Sequence, residues 1–83
     1  MAVRNHVVVQ RWKDDESASN HTTSLTTDGS SLWSYSLKIG DTCAETGIKI
    51  LRGYRANTKW GFQSQTTSCH VGLAARVADL VDE

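Results

Sequence analysis

The chain has 83 residues, a length that fits one small domain with a compact core, spanning residues 1–83. Hydrophobic residues make up 39% of it and charged residues 22%, which is ordinary for a folded protein and argues against disorder. Nine basic and nine acidic residues give a formal net charge of zero, which argues against a protein built mainly for non-specific nucleic-acid binding.

Nothing in the sequence resembles a signal peptide or a membrane span, because the longest apolar run near its start is only Val7 to Val9. We therefore expect a cytoplasmic protein without a membrane partner. In that compartment Cys43 and Cys69 are expected to be reduced thiols.

The first segment, Val3 to Trp12, is rich in valine and is followed by the charged run Lys13 to Glu16. It predicts a strand followed by a solvated turn. His21 to Thr27 is rich in threonine and precedes Asp28-Gly29, a pair typical of tight hairpin turns. We expect this threonine-rich arm to be an edge strand, or to leave one face to water.

The second arm of the hairpin, Ser30 to Ile39, has the clearest period in the chain. Its apolar residues alternate with polar ones, which is typical of a half-buried antiparallel strand. The alternating apolar residues are Trp33, Tyr35, Leu37 and Ile39.

Gly40 to Gly47 predicts a loop, and the segment from Ile48 predicts a strand with a bulge or bend at Gly53. Ala56 to Thr58 predicts a turn. Trp60 and Phe62, on alternate positions, predict the start of a further strand.

The last segment changes to a helical period, with His70, Leu73 and Val77 in one stripe that continues to Leu80 and Val81. It predicts an amphipathic helix of about four turns with His70 leaning towards the sheet. Thr66, Thr67 and Ser68 are each acceptable N-caps for it. The chain therefore predicts an α+β fold, in which an antiparallel sheet of three to five strands carries one C-terminal α-helix packed on one face.

The residue types at the start of this helix occur both in metal sites and in nucleophilic catalysis. Cys69 and His70, with Cys43 and His21 or His6, are metal-ligand types, but no pair of them has the short spacing typical of structural zinc sites. Cys69 or Ser68 with His70 and an aspartate would suit nucleophilic catalysis, but adjacent residues at a helix start point in different directions. We therefore predict no catalytic residue, no metal and no cofactor.

A cluster of basic and aromatic residues is the best functional candidate. It predicts a partner-binding site made of Arg52, Tyr54, Arg55, Lys59 and Trp60, with Lys49 nearby in the sequence. Such residues can dock on an acidic protein surface, or hold a phosphate backbone and stack a base. The alternative is that these cations are only the polar face of a strand and its turn.

Two stretches, "TTDGSSLWSYSLKIG" and "SQTTSCHVGLAARVADLV", resemble a family of short, mostly uncharacterised proteins of tailed bacteriophages and prophages. The resemblance covers residues 21–81. The positions that carry it are Asp28, Gly29, Trp33, Ser34, Tyr35, Ile39, Gly40, Thr66, Thr67, Ser68 and His70. It implies a phage-encoded protein acting inside a bacterial host cell, and the family has no assigned activity.

Small phage proteins of this kind often bind a host protein and block it, as inhibitors of CRISPR effectors do, so analogy suggests an anti-defence role. We therefore expect a non-enzymatic interaction protein that binds and inhibits a host protein or nucleoprotein complex. The alternative is a small nucleic-acid-binding regulatory protein. A homodimer is also possible if the segment from His21 to Thr27 is an exposed edge.

Overall fold

The computed structural model describes residues 2–83 and folds them into a six-stranded sheet with two helices. The elements in chain order are α1 (Asn5–Lys13), β1 (Ser17–Ser19), β2 (Leu25–Asp28), β3 (Leu32–Ser34), β4 (Leu37–Thr42), β5 (Lys49–Arg52), α2 (Gln65–Ala74) and β6 (Leu80–Asp82). The order of the strands in the sheet follows the chain, and every pairing is antiparallel except the parallel pair β5–β6. The predicted α+β class is confirmed. The prediction of three to five strands with a single C-terminal helix is wrong.

The N-terminal segment forms helix α1 and not the predicted strand. Val8, Val9 and Trp12 are buried on one side of it, at the spacing of neighbours on a helix face. The consecutive valines favour a strand by propensity. Packing of this face against β1, β2 and α2 overrides that preference.

The Asp28-Gly29 turn between β2 and β3 is confirmed, with Gly29 at a φ of 98°. The Asp28 carboxylate accepts from the backbone N–H groups of Ser30 at 2.9 Å and Ser31 at 2.8 Å. These hydrogen bonds stabilise the ionised carboxylate and lower the pKa of Asp28. The aspartate therefore fixes the turn through its side chain.

The alternating segment from Trp33 to Ile39 is two strands and not one. The chain reverses at Tyr35 and Ser36, so that Ser34 lies opposite Leu37. Tyr35 adopts a φ of 57°, a left-handed conformation that is rare for a bulky residue. Because tyrosine is not a typical turn residue, the sequence gives no signal for this reversal.

The threonine-rich arm is not an edge of the sheet, because β1 pairs with β2 along its length. The chain's N-terminal end adds a further contact outside β1, where the Val3 N–H donates to the Ser19 carbonyl at 2.9 Å. The prediction of an edge strand is therefore wrong. Dimerisation through His21 to Thr27 would need such an exposed edge, so the structure gives no basis for it.

Helix α2 ends at Ala74, well before the predicted end at Val81. The chain then turns and returns as strand β6 beside β5. Asp79 begins this pairing, since its N–H donates to the Lys49 carbonyl at 2.9 Å and its carboxylate accepts from the Lys49 N–H at 2.8 Å. Trp60 and Phe62 lie in the loop before α2 and start no strand.

The core lies between the helices and one face of the sheet. Its buried hydrophobic residues are Val8, Val9, Trp12, Leu25, Leu32, Ile39, Leu51, Tyr54, Val71 and Ala74. Packing is tight at Gly40, where an added Cβ would lie 2.8 Å from the Trp12 ring. Along β5, Lys49 and Leu51 are buried while Ile50 is partly exposed, so the other face of the sheet is open to solvent there.

Lys49 is the most unusual core residue, since its side chain is only 2% exposed. Its ammonium donates to Asp15 Oδ1 at 2.6 Å, to Thr42 Oγ1 at 2.7 Å and to the Gly29 carbonyl at 2.9 Å. It also lies 5.7 Å from the centroid of the Trp12 ring. An ammonium has three N–H donors, so this buried charge is fully satisfied.

Replacing Lys49 with methionine keeps the packing of its stem but leaves the Gly29 carbonyl and the Thr42 hydroxyl without their donor. We expect Lys49→Met to lower the free energy of unfolding by about 2–4 kcal/mol. Urea denaturation measures this as a lower midpoint at unchanged slope.

Lys38→Met is the matched control, because Lys38 lies on the neighbouring strand β4 and pairs with Asp41 at the protein surface. Lys38→Met should lower the free energy of unfolding by less than about 1 kcal/mol. Equal losses in the two variants would show that the buried ammonium has no special role.

Candidate functional site

The structure brings Arg52, Tyr54 and Lys59 together around Trp60, whereas the side chain of Arg55, the fifth predicted site residue, contacts Glu83. The rings of Tyr54 and Trp60 lie 5.4 Å apart between centroids, at 47°. Arg52 Cζ lies 5.0 Å and Lys59 Nζ 5.5 Å from the centroid of the Trp60 ring, so two cations flank one indole. We call Arg52, Tyr54, Arg55, Lys59 and Trp60 the Trp60 cluster.

A short loop after β5 positions this cluster. The Thr58 hydroxyl donates to the carbonyls of Gly53 and Arg55, and it accepts from the Gly61 N–H at 3.3 Å. Asn57 adopts a φ of 69°, which confirms the predicted turn. The loop thereby folds Trp60 back onto Tyr54, which is buried at 7% exposure.

The charge of the cluster differs from the sequence-based prediction. The Arg55 guanidinium pairs with the Glu83 carboxylate, and Lys59 Nζ pairs with Asp82 at 2.8 Å. Within residues 2–83, Arg52 is the cation of the cluster that has no ion pair. The surface therefore has mixed charge, because β6 brings two acidic residues beside the cations. Lys49 lies outside it, in the core.

Two side chains at the cluster are available for further contacts. The Lys59 side chain remains 61% exposed despite its ion pair. Phe62, two residues after Trp60, is 56% exposed. In contrast, Trp60 Nε1 is buried and has no acceptor within residues 2–83, an unusual state for an indole N–H.

A second polar cluster, not predicted from the sequence, surrounds His70. His70 Nδ1 lies 2.7 Å from Ser34 Oγ, and Ser34 Oγ lies 3.0 Å from Thr67 Oγ1. Ser64 is the N-cap of α2, in place of the predicted threonines or Ser68, since its hydroxyl accepts from the Thr67 N–H at 3.1 Å. The predicted orientation of His70 towards the sheet is confirmed.

The protonation state of His70 follows from its surroundings. Burial disfavours the charged imidazolium and lowers the pKa of His70 below its usual 6.5, so the ring is neutral at pH 7. The Ser64 hydroxyl donates to Thr67 Oγ1 at 3.1 Å. Thr67 can then donate to Ser34, and Ser34 to His70 Nδ1. This direction leaves the imidazole proton on Nε2.

The arrangement is unsuited to nucleophilic catalysis. The contact between Ser34 and His70 has the distance of a nucleophile and its base, but Ser34 is only 1% exposed and cannot reach a substrate. Cys69 is exposed while His70 is buried, so these neighbours point apart. Both cysteines are free thiols. Within residues 2–83 no three histidine, cysteine, aspartate or glutamate side chains are placed to hold a metal ion.

No protein-family model matches the sequence, and neither a curated protein nor a solved structure is significantly similar to it. Among residues 2–83, no helix has the length and apolar character needed to cross a membrane. The structure brings together Ser34 and His70, which lie in two separate stretches of the sequence. Function is therefore inferred from the chain's own residues.

The lowered pKa of His70 predicts a pH-dependent stability. Below about pH 6.5 the unfolded chain binds a proton at His70 that the folded chain resists, so stability falls as the pH decreases from about 7.5 to 5.5. The slope from one such group is at most about 1.4 kcal/mol per pH unit. Urea denaturation across this range measures it.

His70→Gln removes the titrating ring, and every other ionisable group stays in both proteins. The variant should therefore lose this part of the slope. Asp28, Asp41 and Asp79 also have lowered pKa values, but their stabilising effect is lost only as the pH falls below their usual value of 3.8. Identical slopes in the wild type and His70→Gln would contradict the assignment.

Proposed function

We propose that this protein is a non-enzymatic interaction protein that binds and inhibits a host protein or nucleoprotein complex through the Trp60 cluster. The observation that carries the proposal is the indole of Trp60, with the cations of Arg52 and Lys59 5.0 Å and 5.5 Å from its ring centroid. Tryptophan, tyrosine and arginine are the residue types that most often dominate the binding energy of protein interfaces. Trp60 and Arg52 are of these types, while Tyr54 is buried in the core and supports the Trp60 ring.

The preorganisation of the cluster supports this proposal. The hydrogen bonds of Thr58 fix the loop, and the ion pairs of Arg55 and Lys59 restrict two long side chains before any partner binds. Side chains that are already ordered lose less entropy on association. Exposed Phe62 adds apolar area next to the cluster in the chain.

The mixed charge favours a folded protein over a nucleic-acid backbone as the partner. Alternating charges suit a complementary protein surface. A chain of phosphates would be repelled by Asp82 and Glu83 beside the cations. The resemblance to phage proteins suggests a bacterial host, and an anti-defence role like that of anti-CRISPR proteins is part of this proposal.

A nucleic-acid-binding regulator is the second candidate, favoured by one observation. An indole flanked by two cations can stack a nucleobase and hold its phosphate. This candidate requires an affinity for DNA or RNA that falls steeply as salt rises, because phosphate contacts release counterions. Mobility shifts at low and at moderate salt distinguish it from the first.

Charge reversal of Arg52 tests the contact surface. Reversal at Arg55 or Lys59 would also break an ion pair that anchors β6, whereas Arg52 has none among residues 2–83. We expect Arg52→Glu to weaken capture of the host partner by at least about tenfold, since it replaces an attractive charge by a repulsive one. Quantitative affinity capture from nuclease-treated bacterial lysate measures the loss.

Arg76→Glu is the matched control, because Arg76 is an exposed arginine in the turn after α2, outside the Trp60 cluster. A partner kept by this variant and lost with Arg52→Glu supports the proposed surface. A set of captured proteins that is the same for the wild type and Arg52→Glu would reject it. Capture that disappears with nuclease treatment would favour the nucleic-acid-binding candidate.

A further inference from the structure

A cleft of about 520 Å³ opens between the N-terminal end of α1, the loop before β2 and helix α2. All three histidines of the chain, His6, His21 and His70, line it together with Arg4. No aspartate or glutamate is among its lining residues within the described chain. Arg4 is therefore the one arginine, lysine, aspartate or glutamate among the lining residues of the described chain.

His70 supplies a buried donor at this cleft. The residue is only 2% exposed, and its Nδ1 is occupied by Ser34 at 2.7 Å. Its Nε2 has no hydrogen-bond partner among residues 2–83. Trp60 Nε1 is the one side-chain nitrogen or oxygen in this part of the chain that is both fully enclosed and without a partner, so His70 Nε2 is not fully enclosed. When Thr67 donates to Ser34 and Ser34 donates to Nδ1, the proton of the neutral ring lies on Nε2. A neutral N–H donor is thus held ready for an acceptor in the cleft.

The first turn of α1 adds donors to the same cleft. The helix has no side-chain cap at its N-terminus and no acidic residue in its first turn. The backbone N–H groups of Asn5 and His6 have no acceptor among the described residues. The positive end of the helix dipole and these free donors favour a negatively charged group. Arg4, also without an ion pair within residues 2–83, adds a full positive charge.

Tyr35 lies close to His70 of this cleft and has an unfavourable backbone conformation. It has a φ of 57° and is 58% exposed, and its ring lies 6.4 Å from that of His70. Its N–H donates to the carbonyl of Ser24, a lining residue, at 2.8 Å. The reversal between β3 and β4 accounts for this conformation, and it leaves the tyrosine ring exposed near His70.

We infer that this cleft binds the phosphate group of a small molecule, with His70 Nε2–H, the first-turn amides of α1 and Arg4 as its donors. His70, Arg4 and the first turn of α1 all line the cleft, and the exposed ring of Tyr35, 6.4 Å from that of His70, is placed to contact the remainder of a phosphate monoester. The inference is independent of the Trp60 cluster, which lies at the β5–β6 end of the sheet, whereas the cleft adjoins β2. It assigns a role to Ser34, Tyr35, Thr67 and His70 of the phage-like motifs.

The tautomer is tested first, in the free protein. Long-range proton–nitrogen correlation spectra of the histidine rings should show His70 neutral at pH 7, with Nε2 protonated and Nδ1 as an acceptor. Protonated Nδ1 would overturn the inference, because the ring would then offer no donor to the cleft.

Binding is tested by NMR titration with two probes, inorganic phosphate and adenosine monophosphate, at constant ionic strength set by chloride. We expect saturable shifts of the Asn5 and His6 amides and of His70 Nε2. Similar affinity for both probes identifies a site for the free oxyanion. Tighter binding of the nucleotide that is lost in Tyr35→Asn identifies a monoester site, since asparagine tolerates the backbone conformation but lacks the ring. No saturable shift with either probe would overturn the inference.

Arg4→Gln tests the contribution of the Arg4 charge to phosphate binding. Arg11→Gln is the matched control, because both arginines belong to the α1 region but only Arg4 lines the cleft. We expect Arg4→Gln to weaken phosphate binding by at least about tenfold, the scale of one charge-assisted hydrogen bond. Arg11→Gln should leave the affinity unchanged. Equal effects of the two substitutions would indicate general charge attraction and no defined site.

Discussion

The buried ammonium of Lys49 is the interaction on which the arrangement of the elements depends. A charge without water is tolerated only if all of its donors are satisfied, so its three partners must all be brought to one point. Those partners come from the end of α1, the turn after β2 and strand β4. The backbone of the same residue pairs with Asp79 and so starts β6. One lysine therefore ties the helix layer, the hairpin and the last strand to β5.

The two ends of the sheet have two different surfaces. At the β5–β6 end, the return of the chain places Asp82 beside Lys59 and Glu83 beside Arg55, which orders the Trp60 cluster. At the β1–β2 end, α1 leaves its uncapped N-terminus next to His70, forming a cleft without acids. We propose a protein partner of mixed charge for the first surface and a small anion for the second.

The proximity of Arg52, Tyr54, Lys59 and Trp60 could be predicted because these residues are close in sequence, which limits their separation. The charge of the Trp60 cluster could not be predicted, because the neutralising carboxylates lie more than twenty residues away and arrive only through β6. For the same reason, the hydrogen-bond partner of His70 could not be predicted. The helical stripe indicated that the ring faces the sheet, but Ser34 is 36 positions away in the chain. Pairing at such distance depends on topology that local patterns do not report.

Local patterns in the sequence are sufficient for the α+β class, the Asp28-Gly29 turn, strand β5 and the inward side of α2, because propensity and side-chain period act within a few residues. The helical state of Val7 to Val9 and the chain reversal at Tyr35 depend on contacts between distant segments. The burial of Lys49 depends on such contacts too. In each case contacts with distant segments outweigh a local preference of about 1 kcal/mol or less, since a buried side chain or satisfied charge contributes more than propensity does.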